Sequence, residues 1–252
     1  MNDLFSLEGE IAVVTGGAGK LGQEFSATLR TAGARVFSLD LLGDIVCNIT
    51  KRSELENALR TVRDRAGTPT ILINNAGIDS PPDADASENG PFETYPEASL
   101  DRVIDVNLKG TFLTCQVFGG AMAECGKGSI INIASTYGLV SPNQDLYEYR
   151  RQNGEAWFKP AAYSASKSAL FNLTRYLATY WAKKGVRVNT LTPGGIFNGQ
   201  DGRFLTEYEK RVPMGRMAKP DEMNGALLFL ASQSSSYVTG SNLVVDGGLT
   251  AW

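Results

Sequence analysis

Tyr163 and Lys167 bound the segment Tyr-Ser-Ala-Ser-Lys. Four residues make about one helical turn, so both side chains share a face. A phenol ionising near ~10 is a poor base at neutrality, but an adjacent ammonium stabilises the phenolate and lowers that value. The pair suits proton exchange with an alcohol or carbonyl oxygen, although the same spacing also occurs on solvated helix faces. Ser135 follows the apolar run Ser129-Ile-Ile-Asn-Ile-Ala134. A hydroxyl at the carboxyl end of a parallel strand lies where open α/β sheets bind ligands and can polarise a substrate oxygen; a bland strand-terminal serine fits as well. Asn107 sits among apolar residues of a predicted helix, where a buried amide needs hydrogen-bond partners or a water.

The elements that would position these residues begin with Ile11-Ala-Val-Val-Thr15, a run typical of a buried parallel strand. Gly16, Gly17, Gly19 and Gly22 follow and lead into a helix over Leu21 to Arg30, with Leu21, Phe25 and Leu29 at helical spacing. Glycines there let the backbone approach a pyrophosphate at a helix N-terminus. A second strand, Ala34 to Leu39, runs into Asp40. An acid at that point accepts hydrogen bonds from a ribose diol and repels a 2′-phosphate.

With these motifs in order, the chain resembles the short-chain dehydrogenase/reductase family over nearly all of its length. Thr15 through Gly22 is similar to the family's Thr-Gly-x-x-x-Gly-x-Gly turn, except that Lys20 replaces the middle glycine. A shifted reading, Gly17-x-Gly19-x-x-Gly22, restores a glycine, and the two registers stay open. Asn74-Asn-Ala-Gly77 after the strand Thr70 to Ile73, Asn107 in Val-Asn-Leu-Lys-Gly, and Pro193-Gly194 carry the rest of the resemblance. It implies a catalytic tetrad of Asn107, Ser135, Tyr163 and Lys167. Tyr163 would exchange the hydroxyl proton, Lys167 would depress its pKa and bind the nicotinamide ribose, Ser135 would hold the reacting oxygen, and Asn107 would keep a relay water. It also implies NAD as cofactor, held by Gly16, Gly19, Lys20, Leu21, Gly22, Asp40, Asn48, Ile49, Asn75, Ala76, Gly77, Tyr163, Lys167, Pro193, Gly194 and Ile196. NAD is favoured over NADP by Asp40, with Leu41 and Leu42 offering no cation beside it; the Lys20 ammonium would reach a phosphate in the shifted register. Homo-oligomers, tetramers above all, are implied by the same resemblance.

Composition narrows the function further. The chain has 252 residues, a net charge of -3 and a pI near 5.2, which offer no footprint for nucleic acid. It has no apolar run of membrane length and no signal-peptide pattern at its start, so a cytoplasmic enzyme with a small-molecule substrate is expected. The chain contains no histidine, which excludes serine-histidine nucleophiles and histidine-bearing zinc sites. Cys47, Cys115 and Cys125 are odd in number and lack metal-ligand spacing, so buried free thiols and no catalytic metal are expected.

Strand-helix alternation without repeats or linkers predicts an α/β fold, a single doubly wound Rossmann-type domain over 1–252 whose central parallel sheet is flanked by helices. Further helices are predicted over Arg52 to Arg65, Glu97 to Glu124, Ala161 to Lys184 and Asp221 to Ala231, the last with Asp221 as N-cap, and strands over Val186 to Leu191 and Asn242 to Asp246. Two irregular segments would read the substrate: Asp79 to Pro96, and an insertion from Ser141 to Lys159 tethered between Ser135 and Tyr163. Its aromatic, amide and guanidinium groups suit a polyhydroxylated ligand, a subunit contact or solvated loop being the alternative. Arg150 and Arg151 would favour an acidic sugar if either guanidinium meets an anion. Ser135, Tyr163, Arg150, Arg151 and Asn198 are the candidate substrate contacts, with Gln200 and Arg203 completing the pocket from a mobile lid over Gly194 to Arg216. The reading is an NAD(H)-dependent oxidoreductase that interconverts a secondary alcohol and a ketone on a sugar or sugar acid. A ketoacyl or carbonyl reductase is the alternative, and a noncatalytic dinucleotide-binding regulator is less favoured.

Overall fold

The computed structural model of the protein describes residues 4–79 and 86–252. Among them seven strands pair in parallel: β1 (Ile11–Thr15), β2 (Arg35–Asp40), β3 (Ile45–Val46), β4 (Ile71–Asn74), β5 (Gly128–Ile133), β6 (Val186–Pro193) and β7 (Asn242–Val245). Their order across the sheet is β3-β2-β1-β4-β5-β6-β7, so the chain reverses direction between β1 and β4 and leaves a crevice at their carboxyl ends. The helices are α1 (Lys20–Thr31), α2 (Arg52–Ala66), α3 (Glu97–Ile104), α4 (Thr111–Thr114), α5 (Gly120–Cys125), α6 (Glu148–Gln152), α7 (Ala161–Trp181), α8 (Gly202–Glu209) and α9 (Asn224–Ala231).

Successive strand residues point to opposite faces, and here both faces are apolar. Val13, Leu72, Ile130 and Val188 pack with Leu55 and Leu59 of α2 and Leu177 and Trp181 of α7. Their neighbours Ala12, Val14, Ile71, Ile73, Ile131 and Leu191 pack with Phe25 and Leu29 of α1 and Leu227 and Leu230 of α9. That arrangement is the predicted Rossmann-type architecture.

Several local expectations need correction. The predicted helix from Glu97 to Glu124 is helical throughout, but π-helical segments at Asp105–Gly110 and Cys115–Gly119 interrupt it. Gly110 and Gly119 end those segments where close packing leaves no room for a side chain. A Cβ would lie 2.6 Å from Ile49 Cδ1 at the first and 2.6 Å from the Trp181 ring at the second. Asp221 is not an N-cap: it lies inside a 3₁₀ turn at Pro220–Met223, whose start is held by the Lys219 amide donating to Glu222 Oε2 at 2.8 Å. Cys47 and Cys115 are buried free thiols as expected, whereas Cys125 is exposed. The stretch 80–85 within the expected excursion after β4 lies outside the described residues.

The insertion is ordered by its own side chains. Gln144 closes its base, accepting from the Lys159 amide at 2.9 Å and donating to the Lys159 carbonyl at 3.2 Å. Within it, a 3₁₀ turn at Gln144–Tyr147 runs into α6, and Leu146 and Tyr147 are buried against Phe204, Tyr208, Val212 and Met217. A third small core thus joins the insertion to α8, a helix within the expected lid.

Candidate active site

The carboxyl ends of β1 and β4 are tied together through Thr15. Its hydroxyl accepts from the Asn75 and Ala76 amides, each at 3.1 Å, and Asn75 Nδ2 donates back to the Thr15 and Gly16 carbonyls at 3.1 and 3.0 Å. Asn74 points into the sheet, donating to Asn132 Oδ1 at 2.8 Å, and Asn132 donates to Thr174 Oγ1 at 2.8 Å. This buried amide chain fixes β4, β5 and α7 relative to one another, since each polar group would be costly without its partner.

Glycine is required at particular points of the turn. A Cβ at Gly16 would sit 2.7 Å from Ala76 Cα, at Gly17 1.9 Å from Ser38 Oγ, and at Gly22 2.1 Å from the Gly16 carbonyl. Gly19 has more room, its nearest neighbour being the Gly16 carbonyl at 3.3 Å, and Lys20 is the first residue of α1. The Lys20 ammonium turns away from β2 and donates to the Phe197 carbonyl at 2.7 Å and to Asn198 Oδ1 at 3.0 Å.

A groove of about 430 Å³ runs along this turn. Among the predicted cofactor residues, Gly16, Gly19, Lys20, Leu21, Asp40, Asn48, Ile49, Asn75, Ala76 and Gly77 line it. Gly22 does not; it packs inside the turn. At the far end Asp40 accepts from the Ala18 amide at 3.0 Å and the Leu41 amide at 2.7 Å, and no arginine or lysine other than Lys20 lines the groove among the described residues. A close-approach glycine turn and an open groove at the carboxyl ends of the strands fit a dinucleotide.

The remaining predicted residues meet where the groove ends. Ser135, Tyr163, Lys167, Pro193, Gly194 and Ile196 line a smaller cavity of about 250 Å³ together with Leu21, Asn75 and Gly77. Lys167 is buried and donates to the Ile133 carbonyl at 2.8 Å, with its ammonium 5.9 Å from the centre of the Tyr163 ring. Burial lowers the Lys167 ammonium to about 8, with the Asp79 carboxylate opposing. Burial also pushes the Tyr163 phenol up to about 12, against a hydrogen bond with Ser135 that pulls it down. The expected lysine-depressed phenol is therefore not what the polypeptide alone produces: removal from water outweighs the neighbouring groups. Asn107, fully buried in the first π-helical segment, accepts from the Ile78 amide at 2.8 Å and donates to the Ile78 carbonyl at 2.8 Å and Ser166 Oγ at 3.0 Å. It holds the segment after β4 beside Lys167.

Beyond Tyr163 opens a second pocket of about 450 Å³. Its walls combine Tyr137, Tyr147, Tyr149, Trp157, Phe204 and Tyr208 with Ser135, Asp79, Lys159, Gln200 and Asp201. The structure does not bring Arg150, Arg151 or Asn198 to it. Arg150 pairs with Glu155 at 2.7 Å and covers the Trp157 ring, while Arg151 pairs with Glu148 at 2.6 Å and donates to the Trp157 and Gln144 carbonyls. Both guanidinium groups hold the insertion together. Arg203 likewise forks onto Asp201 and covers Tyr149. The insertion's expected aromatic groups do line the pocket through Tyr147, Tyr149 and Trp157, as does Gln200, whereas sequence reasoning did not single out Tyr137, Phe204, Tyr208, Asp79 or Lys159. Lys159 stands four residues before Tyr163, but it precedes Pro160 and the start of α7, so helical spacing gave no signal for it.

The family described as enoyl-(acyl carrier protein) reductase matches residues 8–250. D-threitol dehydrogenase of Mycolicibacterium smegmatis is 31% identical, with 98% of this chain and 95% of that one covered. Galactitol 2-dehydrogenase (L-tagatose-forming) of Cereibacter sphaeroides is 32% identical, covering 99% and 98%. Among solved structures, a short-chain dehydrogenase from Leptospira borgpetersenii with bound NAD+ superposes with a TM-score of 0.87 at 34% identity, covering 99% and 96%. A gluconate 5-dehydrogenase from Burkholderia cenocepacia, in complex with NADP and tartrate, gives 0.83 at 27% identity, covering 99% and 98%.

Proposed function

The chain belongs to the short-chain dehydrogenase/reductase family, an enzyme interconverting alcohols and ketones on sugar-like substrates, and we propose that it uses NAD(H) to act on a secondary alcohol of a neutral polyol. One observation carries this reading: Ser135 and Tyr163 line both the cavity at the end of the dinucleotide groove and the aromatic, polar pocket beyond it. A substrate oxygen placed there meets the proton-exchanging phenol on the cofactor's side of the pocket. Tyr163 exchanges the hydroxyl proton, and Ser135 donates to or accepts from the same oxygen. Lys167 would hold the nicotinamide ribose and bias the phenol, and Asn107 would keep a relay water between Lys167 and solvent. When bound, NAD(H) would supply the hydride donor or acceptor.

The choice of NAD rests on Asp40, whose carboxylate faces the ribose end of the groove, and on Lys20, whose ammonium lies toward Phe197 instead. Ionised Asp40 and a 2′-phosphate would repel. The choice of a neutral substrate rests on charge: Arg150 and Arg151 are engaged within the insertion, and Lys159 and Asp201 in the pocket already have partners. A greasy acyl chain would leave the pocket's polar groups without partners, which weighs against a ketoacyl reductase.

We further propose a single domain over 1–252 that assembles as a homotetramer in the cytoplasm. Phe112, Tyr176, Tyr180 and Trp252 expose apolar surface suited to a second copy, and Cys47, Cys115 and Cys125 are unpaired thiols. Light scattering during size exclusion tests the tetramer. The activity is tested by following nicotinamide reduction with tetritols, pentitols and hexitols and by dissociation constants for NADH and NADPH. Oxidation of several polyols and tighter NADH binding are expected; activity confined to acyl or simple aliphatic ketones would overturn the polyol reading.

A further inference from the structure

Lys159 is the one lysine or arginine lining the substrate pocket among the described residues. It arrives from the insertion, outside the residues that would exchange the proton. Its side chain is 12% exposed and its backbone is held on both sides by Gln144. The ammonium lies 5.3 Å from the centre of the Tyr163 ring and 6.0 Å from that of Tyr137, and it pairs with Asp79 from the segment after β4. The other carboxylate in the pocket, Asp201, is taken up by the Arg203 fork and by capping α8.

The Lys159 and Asp79 couple therefore places a charged donor and a charged acceptor side by side, next to the phenol that would meet the reacting oxygen. Asp79 occupies one of three ammonium donors, and a carboxylate accepts more than one hydrogen bond. A neutral hydroxyl, which both donates and accepts, satisfies such a couple without disturbing its charge balance. A methylene at the same place leaves both ions desolvated without a new partner, and a carboxylate meets Asp79 as a like charge.

We infer that Lys159 and Asp79 recognise the hydroxyl on the carbon next to the one that is oxidised, making them specificity residues for a neutral vicinal polyol. The inference rests on the polyol reading above and adds the part of the substrate that is read. It also moves substrate recognition from the two arginines of the insertion to its terminal lysine.

The test compares the tetritol or pentitol that the wild type oxidises best with its deoxy analogue lacking the hydroxyl beside the oxidised carbon, using wild type, Lys159→Met, Lys159→Arg and Asp79→Asn. Wild type should prefer the polyol by about 10- to 100-fold in kcat/KM, the scale of a charge-assisted hydrogen bond. Lys159→Met should lose that factor on the polyol and change the deoxy analogue by less than about threefold, with NADH affinity held, because the lost contact is absent from the analogue. Lys159→Arg should recover part of the preference. Asp79 is exposed enough that Asp79→Asn is not expected to disturb folding, and it should erode the same preference. Equal losses on both substrates would place Lys159 in the service of Tyr163 or of the fold and overturn the inference, as would unchanged selectivity in both Lys159→Met and Asp79→Asn. A wild type that oxidises no polyol would instead bring down the functional reading itself.

Discussion

Tyr163 and Lys167 are both moved by burial in the direction that discards charge, the phenol up to about 12 and the ammonium down to about 8. The pair is therefore poised to respond to any charge brought into the cavity they line. Tyr163→Phe should lower turnover by roughly two to four orders of magnitude, the loss of a positioned proton-transfer group, while NADH affinity stays within about threefold. Single-turnover rates with bound substrate check this, and a near-normal rate would remove Tyr163 from the proton path. Lys167 also makes stability depend on pH. Its ordinary value is 10.5, so between about 8 and 10.5 the unfolded chain holds more protons at this site than the folded chain, and stability rises with pH across that window. The melting temperature of wild type should accordingly gain on that of Lys167→Met as pH rises from about 8 toward 10; a difference independent of pH would mean that Lys167 is solvated. The tyrosine and its lysine were legible because their spacing is itself the helical repeat. Lys159 was not, because its significance depends on Asp79, 80 residues away in the chain.

At the scale of elements, the glycine turn shows what spacing can and cannot specify. Two registers fitted the sequence, and packing distinguishes the glycines: Gly16, Gly17 and Gly22 have no room for a side chain, whereas Gly19 has some and Lys20 needs none because it starts α1. Gly22→Ala should destabilise the fold by about 3 kcal/mol, which lowers the melting temperature by roughly 6–12 °C for a chain of this size. Gly19→Ala should stay within about 2 °C of wild type. Thermal melts without cofactor separate the two, and equal losses would refute this reading of the turn. The insertion was legible as a segment tied to the site, but not in its contacts. Arg150 and Arg151 announce themselves by type, yet Glu155 and Glu148 lie near enough in the chain to take them first. Local acids captured the guanidinium groups, leaving aromatic side chains to form the wall.

Over the whole molecule, strand-helix alternation was enough to anticipate the parallel sheet, because apolar strands covered on both faces admit few arrangements. The two-residue strand β3 and the π-helical segments escaped notice, being too short or too dependent on packing to leave a periodicity. The dinucleotide groove and the cavity at its end draw on the β1–α1 turn, the ends of β2, β4 and β6, and α7, pieces that meet only in the folded chain. A ligand that binds only the assembled form stabilises it by mass action, by about 2.7 kcal/mol at a hundredfold excess over its dissociation constant. NADH at that excess should raise the melting temperature by roughly 5–11 °C. At equal concentration NADPH should raise it less, because its 2′-phosphate would approach Asp40, where no lysine or arginine other than Lys20 lines the groove among the described residues. Asp40→Ala should bring the two shifts closer together. An NADPH shift equal to or larger than that of NADH in wild type would show that Lys20, or another cation, reaches the 2′-phosphate after all, and would overturn the assignment of NAD.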